Sequence, residues 1–334
     1  MKDKRLASFV FTVIILLITM LFSVSGPRSA LPDYSYAEPP PFEELLPSGK
    51  RWDDLVMINV LVGGETVEMS IERYLIGVTA AEMPASFEHE ALKAQAVTAR
   101  TSVAYNMQVA PKTRHPDCQV CTDHTCCMAF SSDEQLRVRW GRDYVVFVTR
   151  IIMAVVDTDG VILVNDDLPL LAVFHSSSAG KTESSGNVWL QDLPYLQSVF
   201  SPETAENVPG YVSSLTVPLQ VFTDTFTEDH PEADFSSSVD SWVTDITYTS
   251  SGRVDEVTIG GVRVKATRLR AVFGLRSTAV TFRLTANDVI FTTTGYGHGV
   301  GMSQYGANTM ALGGKGYKDI LSAYYTGCSF ASTK

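Results

Sequence analysis

The 334-residue sequence lacks an excess of basic residues, because its 26 Lys and Arg are outnumbered by 37 Asp and Glu, for a formal charge of −11. This acidic balance argues against a nucleic acid partner and leaves a sugar polymer open. The glycine-rich segment GYGHGVGMSQYGA also lacks the strand-GxGxxG-helix unit, and the Lys followed by Ser or Thr, that a phosphate-binding loop requires. With 45% hydrophobic residues, the length suits one large domain or two modest ones, together with an anchor.

Charge is also absent near the N-terminus, where residues 6–24 carry no charged side chain over nineteen positions. At about 1.5 Å per residue, this run nearly spans the roughly 30 Å hydrocarbon core of a membrane. Lys2, Lys4 and Arg5 before it predict a cytoplasmic N-terminus. A cleaved signal peptide is the alternative, although its apolar region is usually only about 7–15 residues long.

The sequence therefore predicts a single-pass protein of the cell membrane with three parts. Residues 1–25 are the cytoplasmic end and transmembrane anchor, and residues 26–52, rich in Pro and Ser, are a tether. Residues 53–330 are the extracytoplasmic domain, which would carry the catalytic site.

Glu82 is the candidate catalytic residue. An apolar run ends at Ala81, and Met83, Pro84 and Phe87 keep the surroundings of the carboxylate largely apolar. Desolvation favours the protonated form of a carboxyl group, which a general acid working near neutral pH requires. The competing interpretation is an ordinary, partly exposed surface glutamate.

A helix is predicted from Glu88 onward, because alanine, leucine and valine recur there at helical spacing among good helix formers. Lys93, Gln95 and Arg100 in this helix cannot all share one face, since steps of two and five residues do not align on a 3.6-residue repeat. At most two of them are expected to reach one ligand.

Strands are predicted on both sides of Gly63-Gly64, where MINVLV and ETVEMSI would be joined by a tight turn. Residues 145–156 and 160–174, rich in Val, Ile and Leu, also suit strands of a mixed or antiparallel sheet. The segment RLRAVFGLRS is predicted to be a short helix.

Six potential metal ligands lie within thirteen residues of the segment HPDCQVCTDHTCCMAF. They are His115, Cys118, Cys121, His124, Cys126 and Cys127. This density matches the nitrogen and sulfur ligands and the tetrahedral preference of zinc. Disulfides are the competing interpretation, since an extracytoplasmic segment can be oxidising, although a bridge between the adjacent Cys126 and Cys127 would be strained.

Two further segments combine glycine with polar side chains. HSSSAG, residues 175–180, offers small hydroxylated side chains at a strand end, where they can bond sugar hydroxyls. Residues 295–307 contain five glycines over thirteen positions and expose His298, Ser303, Gln304 and Tyr305. By composition alone, each segment also suits a plain structural loop.

Taken in order, these motifs resemble the stage II sporulation protein D family. The resemblance covers residues 56–328 and rests on AAEMP, ALKAQAVTARTSVAY, FHSSSAGKTESSGNVW with DLPYLQSV, RAVFGLRST and GYGHGVGMSQYGANTMA. It implies an α+β fold in which largely antiparallel sheets and packed helices surround a substrate groove, preceded by an N-terminal transmembrane helix. It also implies a lytic transglycosylase that cleaves peptidoglycan glycan strands during engulfment in sporulation.

The implied mechanism uses one carboxyl group. Glu82 would protonate the glycosidic oxygen between N-acetylmuramic acid and N-acetylglucosamine, and the muramic C6 hydroxyl would attack C1 to leave a 1,6-anhydro end. The sequence offers no convincing second carboxylate, since Glu88 and Glu90 are first-turn helix residues and Glu183 lies in the Ser-rich loop. The residues that the resemblance makes candidates for contacting or orienting the sugar, with Tyr195 as a stacking surface, are Lys93, Gln95, Arg100, His175, Ser176, Ser177, Gly180, Tyr195, His298, Gln304 and Tyr305.

The resemblance further implies a zinc site of the pattern H-x5-C-x4-H-C. His115, Cys121 and Cys127 match it, whereas Cys126 replaces the second histidine. Thiolate can replace imidazole on zinc, so these four residues would still supply four ligands, with His124 or Cys118 as alternatives for one of them. Four protein ligands leave no open position, which indicates a structural metal.

The implied partners are peptidoglycan glycan strands, a membrane-anchored cell-wall amidase and a polytopic membrane protein of the engulfment machinery. Two other functions remain open at this point. One is a non-catalytic, glycan-binding activator of a cell-wall amidase, in which loss of the Glu82 carboxylate would leave function nearly intact. The other is a zinc hydrolase, in which metal removal would abolish the chemistry while the fold survives.

Overall fold

The computed structural model describes residues 39–189 and 191–333. In this part of the chain, no helix is both long and apolar enough to cross a lipid bilayer. This finding corrects the predicted single-pass membrane location, and the predicted anchor, residues 6–24, lies outside the described residues. The part of the predicted tether that is described contains a buried residue, Phe42, which packs with the main hydrophobic core ahead of the predicted domain start at residue 53.

Helices and short strands alternate along the described chain. The α-helices are Trp52–Leu55, Ile71–Glu82, His89–Gln108, Asp133–Trp140, Tyr144–Val156, Ser185–Val188, Leu219–Asp229, Ala266–Phe273, Gln304–Leu312 and Tyr317–Tyr324. The strands are β1 Met57–Val62, β2 Glu65–Ser70, β3 Val120–Cys121, β4 Val161–Asn165, β5 Leu168–Pro169, β6 Phe174–His175, β7 Val212–Pro218, β8 Val243–Thr244, β9 Glu256–Ile259, β10 Val262–Lys265, β11 Val280–Leu284, β12 Asp288–Thr294, β13 Met302–Ser303 and β14 Ser329–Ser332.

The strands form small sheets in the orders β2-β1-β3, β10-β9-β8, β11-β12-β7, β13-β6 and β14-β4-β5. Most neighbouring strands are antiparallel, whereas β1 with β3 and β6 with β13 are parallel. The predicted mixed α and β fold with largely antiparallel sheets is therefore confirmed for the described residues.

The helix His89–Gln108, which we call the central helix, is the hub of the main core. Helices Ile71–Glu82, Tyr144–Val156 and Gln304–Leu312 and strand β4 all pack on it. Its small and apolar side chains are buried around its whole circumference, as expected for a helix that is enclosed rather than amphipathic.

The helix Ile71–Glu82 begins and ends where local sequence requires. The Ser70 hydroxyl accepts a hydrogen bond from the Arg73 N–H at 3.3 Å and caps the first turn. The helix ends at Glu82 because Met83 precedes Pro84, and a residue before proline is excluded from the helical region. Glu82 therefore lies at a helix C-terminus, where the backbone dipole disfavours a negative charge.

The prediction of a strand at residues 145–156 is wrong, because Tyr144–Val156 is a helix. Tyr144, Val148, Ile151 and Val155 are buried at helical spacing, whereas Val146 is 61% exposed. Because apolar residues also occupy the exposed side of this helix, the sequence shows no helical periodicity, and its β-branched composition alone favoured a strand. Packing in the folded protein overrides that preference.

A second, smaller hydrophobic core lies between residues 217 and 291. Its centre is Phe222, whose ring stacks with those of Phe226, Trp242 and Phe273. The predicted short helix RLRAVFGLRS is confirmed in part, because the helix Ala266–Phe273 covers its first six residues and ends before Gly274. This helix contributes to the second core. This part of the chain therefore has a core of its own.

Candidate active site and metal centre

The two glycine-containing polar motifs, which are far apart in the sequence, lie against each other. Strand β6 pairs with β13, and Ser177 forms a β-bridge with Tyr296. A Cβ at Gly297 would lie 2.7 Å from the His175 Cβ, and a Cβ at Gly301 would lie 2.1 Å from the Val173 carbonyl oxygen. Glycine is required at both positions by this close approach and by positive φ angles of 114° and 70°.

These motifs form one wall of a pocket of about 420 Å³, and Glu82 lies on another. Glu82 is the one carboxylate among the described residues that line the pocket. Besides Glu82, the lining comprises Ser102, Asn106, Lys112, His124, Cys126, Cys127, Met128, Leu171, Ala172, Val173, Phe174, His175, Ser176, Arg270, Tyr296, Gly297, His298 and Gln304.

The Glu82 carboxyl group is half-buried and is held by the backbone of a neighbouring segment. The Ala129 N–H donates to Oε1 at 2.7 Å. Burial raises the pKa of Glu82, although the Ala129 hydrogen bond and the nearby His124 lower it in part. The site therefore favours the protonated carboxyl group, as a general acid requires.

Gln304 and Gln95 support Glu82 from behind. The Gln304 amide group donates to the Glu82 carbonyl oxygen at 3.0 Å and to the Gln95 Oε1 at 3.3 Å. Gln304 lines the pocket, whereas the completely buried Gln95 does not. Gln95 therefore lies one layer behind the surface that a ligand would contact.

Two histidines of the pocket are neutral near pH 7. His175 donates from Nδ1 to the Val300 carbonyl oxygen at 3.1 Å and accepts at Nε2 from the Ser178 hydroxyl at 2.6 Å, and burial holds its pKa well below the usual value. Burial, together with the Arg270 charge, lowers the pKa of His298 to about 4. Both ring nitrogens of His175 are therefore occupied, and the His298 Nδ1 accepts from the Val300 N–H at 3.1 Å, so these neutral rings order the pocket wall rather than stabilise charge.

Lys93 and Arg100, predicted to contact the sugar, do not line the pocket. The Lys93 Nζ lies 2.7 Å from Glu90 and 4.9 Å from the centre of the Tyr317 ring. Arg100 is buried and forms an ion pair with Asp53. The pair is needed because a charged side chain on a buried stretch of the central helix is stable only beside an opposite charge.

Other predicted contacts are placed behind the pocket wall. Tyr195 is buried, and its hydroxyl accepts from the Leu171 N–H at 3.2 Å, so the ring offers no open stacking face. The Tyr305 ring packs edge-on against Phe87 at 5.0 Å. Ser177 and Gly180 do not line the pocket. Ser177 is buried, and the Gly180 carbonyl oxygen accepts a hydrogen bond from the Ser201 N–H. Of the serine motif, Ser176 lines the pocket together with His175.

Several lining residues were not among the predicted site residues, notably Lys112, Arg270 and Tyr296. The last two lie inside motifs that carried the resemblance. Tyr296 is 47% exposed between two glycines, and the Arg276 guanidinium lies 4.6 Å from the centre of its ring. An aromatic residue flanked by glycines was the signal that could have identified it.

The predicted metal ligands come together. One ligand atom from each of His115, Cys121, Cys126 and Cys127 lies within 4.8 Å of the others. His115 donates from Nδ1 to the Cys118 carbonyl oxygen at 2.9 Å, which leaves Nε2 facing the sulfur atoms of Cys126 and Cys127 at 3.5 Å each. Such an outer hydrogen bond fixes the tautomer that a metal-binding imidazole needs.

The alternative ligands lie elsewhere. The Cys118 sulfur contacts the Thr66 hydroxyl at 3.3 Å, and neither Cys118 nor His124 belongs to the cluster of four, although His124 lines the Glu82 pocket together with Cys126 and Cys127. All five cysteines are free thiols, so the described chain contains no disulfide among them. Burial raises the pKa of the Cys127 thiol to about 12, so the fold alone does not compensate a thiolate charge. A bound divalent cation would compensate it.

Comparison with known proteins identifies related sequences. A family model described as "Stage II sporulation protein" matches residues 64–165. Proteins named "Stage II sporulation protein D" from Bacillus amyloliquefaciens and Bacillus subtilis (strain 168) are each 37% identical over 258 residues, which is 77% of this chain and 73% of theirs. A protein of Bacillus subtilis (strain 168) named "Amidase enhancer" is 28% identical over 77% of this chain and 40% of its own.

Proposed function

The chain belongs to the stage II sporulation protein D family, and from that premise we propose that it is a lytic transglycosylase of peptidoglycan. Its substrate is the bond between N-acetylmuramic acid and N-acetylglucosamine in glycan strands whose stem peptides have been removed. The observation that carries this proposal is Glu82, the one carboxylate among the described residues of the pocket lining, with a pKa raised by burial.

A single carboxyl group suits intramolecular transfer better than hydrolysis. Hydrolases of glycosidic bonds need a second carboxylate, about 5–5.5 Å away as a nucleophile or about 6.5–9.5 Å away to activate water. The buried Glu183 and Glu203 do not serve, because they do not line the pocket and their oxygens accept hydrogen bonds from Ser184, Ser178 and other groups behind its wall.

In the proposed reaction, protonated Glu82 donates its proton to the glycosidic oxygen as the bond from muramic C1 breaks. The muramic C6 hydroxyl then attacks C1, and the Glu82 carboxylate removes the hydroxyl proton. The products are a 1,6-anhydromuramic end and a free hydroxyl on the leaving sugar, and Glu82 is protonated again. The Ala129 hydrogen bond occupies Oε1, which leaves Oε2 as the atom that exchanges the proton.

Polar and aromatic side chains around Glu82 would orient the sugar. His298, Ser176 and Tyr296 line the pocket, and Gln304 fixes the backbone of Glu82 itself. Holding the substrate in a reactive geometry accounts for much of the rate enhancement in such sites.

We also propose that His115, Cys121, Cys126 and Cys127 hold a structural zinc ion. One imidazole and three thiols form a closed set of ligands of the type that zinc prefers. The ion would supply a cross-link rather than an activated water. Cys127 is two residues before Ala129, so this cross-link would hold the segment that donates the hydrogen bond to Glu82.

A second candidate function is activation of a cell-wall amidase without catalysis. It is favoured by one observation, the 28% identity to a protein named "Amidase enhancer". Under either function, the partners belong to the cell wall and the engulfment machinery, with glycan strands and an amidase as the specific proposals.

Product analysis distinguishes the two functions. Purified glycan strands, with and without stem peptides, are incubated with the protein and with Glu82→Gln, and the products are identified by mass spectrometry. We expect anhydromuramic ends from the parent protein on peptide-free strands and about 10²- to 10⁴-fold fewer from Glu82→Gln. Absence of cleavage of either substrate would contradict the transglycosylase and favour the amidase activator.

A further inference from the structure

A second, larger pocket of about 830 Å³ lies beside the Glu82 pocket. The two share Leu171 in their linings, and the Trp189 ring of the second pocket lies 5.2 Å from the His298 ring of the first. We propose that the second pocket is a saccharide subsite, in which Trp189 stacks on a pyranose ring of the glycan strand that reaches Glu82. This inference rests on the proposed function for the identity of the strand.

The lining of this pocket has the chemistry that a sugar ring requires. Trp189 is 39% exposed and supplies a flat apolar surface, with Leu193 beside it. Asn187, Gln191 and Lys265 bring polar groups to the same pocket. A pyranose ring has an apolar face of C–H groups and a rim of hydroxyls, so one aromatic face with convergent polar groups matches it.

The buried Glu183 holds the walls of the pocket in position. Its Oε1 accepts from the Ser184 N–H and the Asn187 amide group at 2.8 Å each, which fixes the turn that leads to Trp189. Its Oε2 accepts from the Thr249 and Ser251 hydroxyls at 2.6 Å each. Thr249 and Ser251 do not line the pocket themselves, but they belong to the segment that leads to Asp255, which does. One carboxylate therefore links the segment of Trp189 to the segment of Asp255.

A preformed subsite away from Glu82 is what the cleavage of a polymer requires. The reacting bond offers little surface to hold a long strand, and binding energy from remote sugars can be used to position it. A pocket that shares Leu171 with the catalytic one, and whose Trp189 segment is held by Glu183 before the strand arrives, provides such binding at low entropic cost.

Binding of glycan fragments of two lengths tests the subsite separately from catalysis. In the full chain carrying Glu82→Gln, calorimetry compares a peptide-free disaccharide with a peptide-free hexasaccharide of the strand. Trp189→Ala and Trp189→Phe are added to this background, together with Tyr248→Ala as a control, because Tyr248 is 60% exposed and lines neither pocket. Circular dichroism verifies folding of each variant.

We expect the hexasaccharide to bind more tightly than the disaccharide and this advantage to fall on the order of tenfold in Trp189→Ala. Trp189→Phe should retain most of the advantage and Tyr248→Ala all of it. Equal affinity for the two lengths, or an advantage that survives in Trp189→Ala, would overturn the subsite. If the proposed function is wrong, the parent protein forms no anhydro ends, but the affinities measured here do not change. The two experiments therefore fail independently of each other.

Discussion

Replacing Arg100 with methionine is expected to destabilise the fold without touching the ligand. Arg100 and Asp53 are each about 1% exposed, and the Arg100 Nε lies 2.9 Å from both carboxylate oxygens. The guanidinium also donates to the carbonyl oxygens of Val161 and Val155 at 3.1 and 3.3 Å. The pair thus ties the central helix to the helix Trp52–Leu55 and to the end of Tyr144–Val156.

The size of the effect follows from burial. Arg100→Met leaves the Asp53 carboxylate buried without a counter-charge, which costs about 3–5 kcal/mol. Typical domains have only about 5–15 kcal/mol of unfolding free energy, so a large part of the stability is lost. With a urea m-value of about 3 kcal/mol per M, this loss lowers the midpoint of urea unfolding by at least about 1 M.

A double variant identifies the cause. Arg100→Met with Asp53→Leu removes both charges and is expected to be more stable than Arg100→Met alone. Unfolding by urea, followed by circular dichroism, measures all three proteins. An unchanged midpoint in Arg100→Met combined with loss of glycan binding would refute this reasoning and restore Arg100 as a substrate contact.

Three further predictions concern the carboxyl group, the metal centre and the glycine motif. The pKa of Glu82 is raised in the folded state, so the contribution of this carboxyl group to the free energy of unfolding is fully present below its ordinary pKa of 4.5 and is lost as pH rises through the raised pKa. Between about pH 4 and pH 8, the parent should therefore lose more stability to urea than Glu82→Gln does. Equal losses in the two proteins would contradict this. Cys121→Ser or chelation should lower the thermal midpoint by about 10 °C together with activity; loss of activity at an unchanged midpoint would favour a zinc hydrolase. Gly301→Ala should destabilise more than Gly314→Ala, since both have positive φ but only Gly301 meets a backbone oxygen, and equal unfolding free energies would refute the clash.

Features fixed by local sequence could be predicted well. The hairpin β1–β2 was signalled by Gly63-Gly64, and both glycines have positive φ. The density of His and Cys signalled six candidate metal ligands, the resemblance selected four of them, and the side chains of those four converge in the structure. In each case the deciding residues are neighbours in the chain, so no distant contact was needed to interpret them.

Features fixed by distant contacts could not be predicted. Arg100 was predicted to contact the sugar, because its partner Asp53 lies 47 residues earlier and nothing in the local pattern marks the helix as enclosed. Tyr195 looked like an open ring, because the Leu171 N–H that its hydroxyl meets comes from another segment. Charged and aromatic residues in a motif therefore indicate importance more reliably than they indicate contact with a ligand.

The residues around Glu82 illustrate an intermediate case. Its apolar neighbours in the sequence predicted a raised pKa, and burial does raise it. The Ala129 N–H that holds its Oε1 comes from the segment after the candidate metal ligands, 47 residues away. The sequence thus indicated the chemistry of the group, and the fold determined which of its oxygens is free.

Digestion of peptide-free glycan strands in water enriched in heavy oxygen tests the central claim most directly. If the C6 hydroxyl of muramic acid attacks C1 after protonation by Glu82, the new ends are anhydro sugars that carry no heavy oxygen, and Glu82→Gln forms about 10²- to 10⁴-fold fewer of them. Reducing ends that carry heavy oxygen would show that water is the nucleophile and would contradict the one-carboxylate mechanism.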